Sequence, residues 1–539
     1  MGDVLSRIAA CIACTCFFFL GTLKSLGAFQ QCGYAGGRFV RWLRRKDNLY
    51  YNRLALWSGL SLLSTALVAL VFSFAGTKAA LLFSALPFFF FCILFCIADR
   101  KYAFKVPLAI TGRIRRLSAV YILLIACVSY IVIALLAFFG ELAGSGLYQI
   151  FRFVPFTLMP LLLPWLLVAA GAIDGLYENP RNRRFVKKAG QVLNETQILR
   201  VAVVGSYGKT SVKNILQSIL SARFSVVATP ASYNTPVGIA KTVTSPEFAG
   251  KQVLIAEMGA RRAGDIAELC DLVKPDYAAF TGVCAQHIET FGSEENVLKA
   301  KCEILKGTAR KVVCGGALKE KIQSLPVETV SPADLEKCVF ADFGNLIEGL
   351  ELRADSTSFF LSLPDGRVFV QTCLLGRHSA ENIALAALLA SEMGLTAAEI
   401  EEGIARISPI PHRLQLIESG GVHILDDSYN SNPEGAAEAV EALLRFSGRK
   451  IVVTPGLVET GILDEALGRQ LGARLAGLDL VILVGDTQVG AVKAGYLDAG
   501  GAEENLIVCP TLDGAKDLLS GALQKGDAVL FLNDLPDAW

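Results

Sequence analysis

At 539 residues the chain is long enough for about three or four domains. Its 51 basic and 50 acidic side chains leave a net charge near zero, which gives no footing for nucleic-acid binding. Apolar residues make up 53% of it and its mean hydropathy is positive, which excludes a wholly soluble protein.

The apolar excess lies before residue 180. Leu54–Ala75, Ala79–Ala98, Ser118–Phe139 and Phe153–Ile173 each approach the roughly 20 residues needed to cross a bilayer. A shorter run, Ile8–Leu23, is read as a fifth span. Pro155, Pro160 and Pro164 predict that the last run is broken into a kinked or partly re-entrant element. Basic residues gather in alternate connections: Arg38, Arg41, Arg44, Arg45, Lys46 and Arg53, then Arg100, Lys101, Lys105, Arg113, Arg115 and Arg116, then Arg181, Arg183, Arg184, Lys187 and Lys188. The intervening connections are poor in charge. Basic loops stay on the cytoplasmic side, so everything after about Pro180 faces the cytoplasm. Of the 14 cysteines, Cys11, Cys14 and Cys16 sit in an apolar helical run and the others are scattered singly, without paired Cys-x-x-Cys units at zinc spacing; they read as small buried hydrophobes in a reducing compartment.

Val201-Ala-Val-Val204 reads as a buried strand running into Gly205-Ser-Tyr-Gly-Lys-Thr-Ser211. Val212, Ile215, Leu216, Ile219 and Leu220 then mark one buried helical face. A strand, glycine loop and helix start of this kind turn free backbone N–H groups toward an anion. Gly205 and Gly208 allow close approach, Lys209 reaches the outer phosphates and Thr210 can hold Mg²⁺. The loop is shorter than the usual phosphate loop, with Val203 where a further glycine is expected. A tight turn before an ordinary helix is the plain alternative.

Alternating strand and helix patterns from about Gln197 to Pro409 argue for a parallel sheet covered by helices. Val253–Ala256 ends at Glu257, and Tyr277–Thr281 leads to a loop holding His287, so both residues join Lys209 at strand carboxyl ends, where ligands gather. Ser293 is the expected N-cap of a helix that runs to Lys306, with Gly307 as its C′ residue. Lys301 lies on this helix, and by spacing alone it is a solvated lysine. Thr308–Cys373 reads as a small β-rich elaboration, and an alanine-rich helix bearing Asn382 follows. Pro409-Ile-Pro411 marks a linker to a second α/β unit, whose first strand, Val422–Leu425, ends in Asp426-Asp-Ser-Tyr-Asn-Ser-Asn-Pro433. The expected organisation is an N-terminal α-helical transmembrane region, 1–190, followed by two α/β domains, 191–410 and 411–539.

Taken together, Gly205–Ser211, Ser232-Tyr-Asn-Thr-Pro-Val-Gly238, Glu257-Met-Gly-Ala260, Ala285-Gln-His287, Ala300-Lys-Cys-Glu-Ile304, Gly376-Arg-His378 with Asn382, His412-Arg413 and Asp427–Pro433 resemble the Mur ligases. The closest resemblance is to their D-Ala-D-Ala-adding branch. The resemblance implies a P-loop central domain, a Rossmann-like C-terminal domain, and an ATP-dependent ligase that makes amide bonds through an acyl phosphate. It implies that Gly205, Ser206, Tyr207, Gly208, Lys209, Thr210 and Ser211 hold the phosphates of ATP. Asn382 would contact adenine, Arg413 and Asp427 the nucleotide from the C-terminal domain, and Asn234 and Asn430 the substrate. Of two Mg²⁺ ions, Thr210 and Glu257 would hold one, and His287 the other with a CO₂-derived carbamate on Lys301. Lys209, Lys301, His287 and Glu257 are the implied catalytic set.

Two departures accompany the resemblance. The family's N-terminal UDP-binding domain is replaced by the apolar region, and Phe531-Leu-Asn-Asp-Leu-Pro-Asp537 stands where that branch carries Lys-Gly-Ser. The expectation is a multi-pass ligase of a bacterial plasma membrane with cytoplasmic catalytic domains. Its carboxylate acceptor would be a cell-wall precursor linked to a polyprenyl lipid, and its amine an amino acid or dipeptide. A membrane-associated polyglutamate synthase, a glutaminase-coupled amidating ligase and a nucleotide-responsive membrane scaffold are the alternatives.

Overall fold

In the computed structural model, the described residues are 2–44, 108–143, 154–284, 291–429, 432–457, 464–485 and 488–533, with isolated positions between 60 and 93. They fall into two units, one ending at Arg181 and one running from Asn182 to Leu535.

The first unit is helical: Gly2–Gly21, Leu23–Gln31, Gly36–Arg44, Gly112–Ala143 and the part of Val154–Glu195 up to Arg181. Phe18, Phe29, Phe39, Leu117, Tyr121 and Leu167 meet in its core. Asp174 is buried and accepts from Arg113 Nε at 3.0 Å, with Arg116 Nε at 3.5 Å; Arg116 also pairs with Glu178. Leu123, Ile131, Leu135 and Phe138 face outward along Gly112–Ala143. Among the described residues, Gly112–Phe138 and Met159–Glu195 are long and apolar enough to cross a membrane. The run Ser118–Phe139 falls on the helix that contains the first of these, Phe153–Ile173 from Val154 onward on the helix that contains the second, and Ile8–Leu23 as far as Gly21 on the first helix of the chain, while Leu54–Ala75 and Ala79–Ala98 lie almost wholly outside the described residues. The expected break at the prolines does not occur: Pro160 and Pro164 lie inside one continuous helix. Pro155 is its second residue, where the missing N–H costs nothing, and apolar helices accommodate interior prolines by local adjustment of the backbone.

The second unit holds two six-stranded sheets. The first has the order β2-β3-β1-β4-β5-β6, all parallel, from β1 Leu199–Val204, β2 Val226–Ala228, β3 Val253–Glu257, β4 Tyr277–Phe280, β5 Lys311–Gly315 and β6 Cys338–Ala341. Its central strands are apolar without alternation because helices cover both faces. β5 and β6 come from the stretch expected to be only a β-rich elaboration. That elaboration is the remainder, an antiparallel sheet of β7 Ile347–Leu352, β8 Thr357–Leu363 and β9 Gly366–Thr372. Gly307 is the last residue of its helix, not a C′ residue; a Cβ there would collide with Cys270, so close packing requires the glycine.

The second sheet has the order β10-β11-β15-β12-β13-β14, with β10 Gln415–Ser419, β11 Val422–Asp427, β12 Lys450–Thr454, β13 Leu480–Val484, β14 Leu506–Cys509 and β15 Ala528–Leu532. Only β10 is antiparallel. It escaped the sequence reading because it is a half-exposed edge strand with few apolar residues.

Candidate active site

β1 lies between β3 and β4, so the loops at the carboxyl ends of all three strands converge. Val203 is level with Glu257, the last residue of β3. The loop after β1 is pinned where Ser206 N donates to Gly282 O at 2.8 Å. Gly205 must be glycine because a Cβ would collide with Thr281 Oγ1. Gly208 has φ +72° and is the N-cap of the helix Lys209–Leu220; a Cβ there would come within 2.8 Å of Asn382 Oδ1. Asn382, on the helix Arg377–Glu392, is thereby set against the glycine loop from a distant part of the chain.

Two lysines meet at one carbonyl. Lys209 Nζ donates to Gly205 O at 2.8 Å and to Ser206 O at 3.0 Å, and Lys301 Nζ donates to Gly205 O at 2.9 Å. Lys301 is 2% exposed. Burial, and then the neighbouring Lys209 charge, push its ammonium down to about 7. Spacing alone made it a solvated lysine; its position among Val297, Leu298, Ala300, Cys302 and Ile304, all buried, reverses that.

Thr210 Oγ1 donates to Glu257 Oε2 at 3.0 Å, and Lys213 Nζ lies 3.2 Å from the same oxygen. Asn234 Nδ2 lies 3.4 Å from Glu257 Oε1. Glu257 is 1% exposed. A hydroxyl beside a buried carboxylate at the foot of a phosphate loop suits Mg²⁺, which takes one or two protein oxygens and completes its shell with phosphate and water. Among the described residues, the buried Ser206 Oγ has no hydrogen-bond partner, as suits a phosphate-contacting hydroxyl. Residues and donors therefore fit a nucleoside triphosphate with Mg²⁺.

On the second sheet, the linker bends through His412 and Leu414, both at positive φ. It is fastened where Asp427 Oδ1 accepts from Leu414 N at 3.1 Å and Asp426 Oδ2 meets His412 Nδ1 at 2.8 Å. Arg413 stacks 4.3 Å over the Tyr429 ring, and its charge helps hold Lys213 below the ordinary lysine value, after burial. Asn432 Nδ2 reaches Cys284 Sγ at 3.5 Å, joining the loop after β11 to the loop after β4. Ser211 and Tyr207 belong to the glycine loop and first helical turn, and a Cβ on Gly282 would collide with the Tyr207 ring. His287 and Asn430 lie outside the described residues.

Sequence reading missed Lys213. Its signal was its place one helical turn after Lys209, inside a helix whose neighbouring positions are apolar.

Residues 203–390 match the Mur ligase middle domain, and residues 412–533 match the Mur ligase glutamate ligase domain. The chain is 33% identical over 319 residues to the UDP-N-acetylmuramoyl-tripeptide–D-alanyl-D-alanine ligase of Escherichia coli K12, covering 56% of this chain and 68% of that protein.

The chain belongs to the Mur ligase family.

A second relative in this family, the ligase of the same name from Synechocystis, is 30% identical over 343 residues, 61% of this chain and 70% of that protein. Among solved structures, the MurF ligase of Thermotoga maritima in complex with ADP superposes with a TM-score of 0.56 at 27% identity, over 66% of this chain and 80% of that one. Crystal structure I of MurF from Acinetobacter baumannii shares the fold at a TM-score of 0.57 and 23% identity, over 66% of this chain and 77% of that one. This Mur ligase is an ATP-dependent enzyme that forms amide bonds.

Proposed function

We propose that this Mur ligase joins the D-Ala-D-Ala dipeptide named for its relatives to the carboxylate of a peptidoglycan precursor, that the precursor is lipid-linked, and that the helical unit holds the enzyme at the bacterial plasma membrane. The working parts are a membrane region, 1–190, a central domain, 191–410, and a C-terminal domain, 411–539. The observation that carries the reading is the convergence of Lys209 and Lys301 on Gly205 O beside the Thr210–Glu257 pair. The membrane part is supported by the two long apolar helices and by the row of large apolar side chains exposed on Gly112–Ala143.

An acceptor carboxylate is a poor electrophile. One of its oxygens attacks the γ-phosphorus of ATP; the bond from that phosphorus to the β–γ bridging oxygen breaks, and its electron pair leaves with ADP. The amine nitrogen then attacks the acyl-phosphate carbon, the C–O bond to phosphate breaks, phosphate departs with the electron pair, and the nitrogen loses a proton as the amide forms. Lys209 follows the charge as it moves to the β-phosphate oxygens. Thr210 and Glu257 would hold Mg²⁺, which neutralises charge on the phosphates. Lys301, being buried and easily neutral, is chemically suited to take up CO₂ as a carbamate. That change would replace a metal-repelling ammonium with an oxygen donor, which His287 would join. Asn382, Arg413 and Asp427 would bind the nucleotide, and Asn234 and Asn430 the substrates.

The test is ATP-dependent phosphate release in detergent with D-Ala-D-Ala and with the tripeptide precursor in UDP-linked and lipid-linked forms, using Lys301→Ala as control. Turnover that prefers the lipid-linked form supports the proposal. Equal turnover on both forms removes the membrane-delivered substrate, and no turnover on either removes the substrate class.

A further inference from the structure

Lys213 carries no step of the proposed reaction. It lies one turn after Lys209 on the same helix, and its side chain is 2% exposed, as is that of Glu257. Among the described residues its ammonium makes two contacts: the ion pair to Glu257 Oε2 at 3.2 Å and a hydrogen bond to Ala231 O. A buried ion pair seldom stabilises a fold more than apolar side chains of the same volume would, so stability does not explain a lysine here. What the contacts do is join three separate pieces of chain: the phosphate-loop helix, the end of β3 and the loop after β2.

That loop leaves β2 with Thr229 N donating to Ile255 O at 2.9 Å and Thr229 Oγ1 accepting from Glu257 N at 3.0 Å, and two residues further on Lys213 meets Ala231 O. Ala231 has φ +43°, which an L-residue seldom adopts without outside support. The far end is fastened: Gly259 N donates to Asn234 O at 2.9 Å, Asn234 Nδ2 lies 3.4 Å from Glu257 Oε1, and Thr235 caps the helix Pro236–Val243. Tyr233 stands 40% exposed between the two ends. The carboxylate of Glu257 is thus gripped through one oxygen by Thr210 and Lys213 and through the other by Asn234.

We infer that Lys213 is a positioning residue that holds the Ala231–Asn234 loop against Glu257 and thereby sets the binding place of the carboxylate acceptor. The substrate part of this statement rests on the proposed role of Asn234 at the acceptor. The role of Lys213 runs through the loop it ties down.

The test compares the full-length enzyme with Lys213→Met, which keeps the length and removes the charge. Hydrogen exchange is measured with Mg-ADP bound, and kinetics with the tripeptide precursor in UDP-linked and lipid-linked forms, D-Ala-D-Ala and ATP. Loop amides at 231–235 should exchange about ten- to a hundredfold faster, the loss of one hydrogen bond to a charged group. The KM for the tripeptide should rise by a similar factor. Because Lys213 also pairs with Glu257, whose carboxylate would hold Mg²⁺, Mg-ADP affinity and the KM for ATP are read beside it, and the KM for the tripeptide should rise by the larger factor. If Lys213→Met does not fold, the double variant Lys213→Met/Glu257→Gln removes both buried charges, and its loop should still exchange faster than that of Glu257→Gln alone. Unchanged loop exchange, or faster exchange spread evenly over both sheets, overturns the inference. Because the exchange readout needs no turnover, an enzyme inactive on both the UDP-linked and the lipid-linked tripeptide refutes the proposed substrate while leaving the tether tested.

Discussion

Lys301 and Lys209 donate to the same carbonyl oxygen, that of Gly205, at 2.9 and 2.8 Å. Burial disfavours the Lys301 ammonium first, and the Lys209 charge on the same acceptor adds to that. Lys301 is pushed down to about 7, so its neutral amine, the form that reacts with CO₂, grows as pH rises through neutrality. Labelling with carbon-13 bicarbonate should therefore give a carbamate signal that increases with pH across that range and is missing in Lys301→Ala. A signal of equal strength in the variant would contradict the assignment.

The same shift has a consequence for stability. The unfolded chain holds the Lys301 proton more tightly than the folded one, so this lysine's penalty is fully present below about 7 and fades as pH rises toward the ordinary lysine value of 10.5. Lys301→Met should abolish that slope. Urea unfolding of ligand-free enzyme at several pH values measures it, and parallel slopes in both proteins would refute it.

Gly208→Ala should weaken Mg-ADP binding by at least about tenfold. The position has φ +72°, where an L-residue costs roughly 1–2 kcal/mol, and the added Cβ would press on Asn382 Oδ1 at 2.8 Å. Titration calorimetry with Mg-ADP reads the loss; an unchanged Kd would show that neither glycine loop nor Asn382 touches the nucleotide.

In the second sheet, Arg449 clamps the buried Asp527 through Nε at 3.0 Å and Nη2 at 2.6 Å. The guanidinium holds the carboxyl below its usual range, so the stabilisation is present above the ordinary carboxylate pKa and lost as pH falls through the lowered one. Asp527→Asn should lower the unfolding midpoint in urea at neutral pH by an amount corresponding to about 1.5–3 kcal/mol. The difference from wild type should shrink in acid. A difference independent of pH would mean that packing, not charge, holds this corner.

The alternation of strands and helices made an α/β organisation legible in both domains, with β1, β3 and β4 of the first sheet but not β2, β5 or β6, and glycine with Gly-Lys-Thr marked the phosphate loop, because buried strands and anion cradles leave local signatures. The role of Lys213 was not legible: its partners Ala231 and Glu257 lie in other segments, and only the fold brings them to one ammonium. β10 was missed for the same reason, since an edge strand draws its pairing from β11 and not from its own apolar pattern. Pro160 and Pro164 misled because a proline's effect on an apolar helix depends on what packs around it.

The helical unit predicts behaviour independent of catalysis. In cell fractionation the full chain should stay with the membrane after alkaline carbonate washing, because its long apolar helices face outward with large side chains. Release into the supernatant would mean that these helices pack against protein instead.

The central claim is that a carboxylate is activated by phosphorylation, and isotope transfer tests it most directly. The tripeptide acceptor is prepared with heavy oxygen in its terminal carboxylate and turned over with ATP and D-Ala-D-Ala. Mass spectrometry of the released phosphate should find one heavy oxygen per turnover, carried across when the acyl phosphate breaks. Phosphate that is released during amide formation but contains only light oxygen would contradict the account.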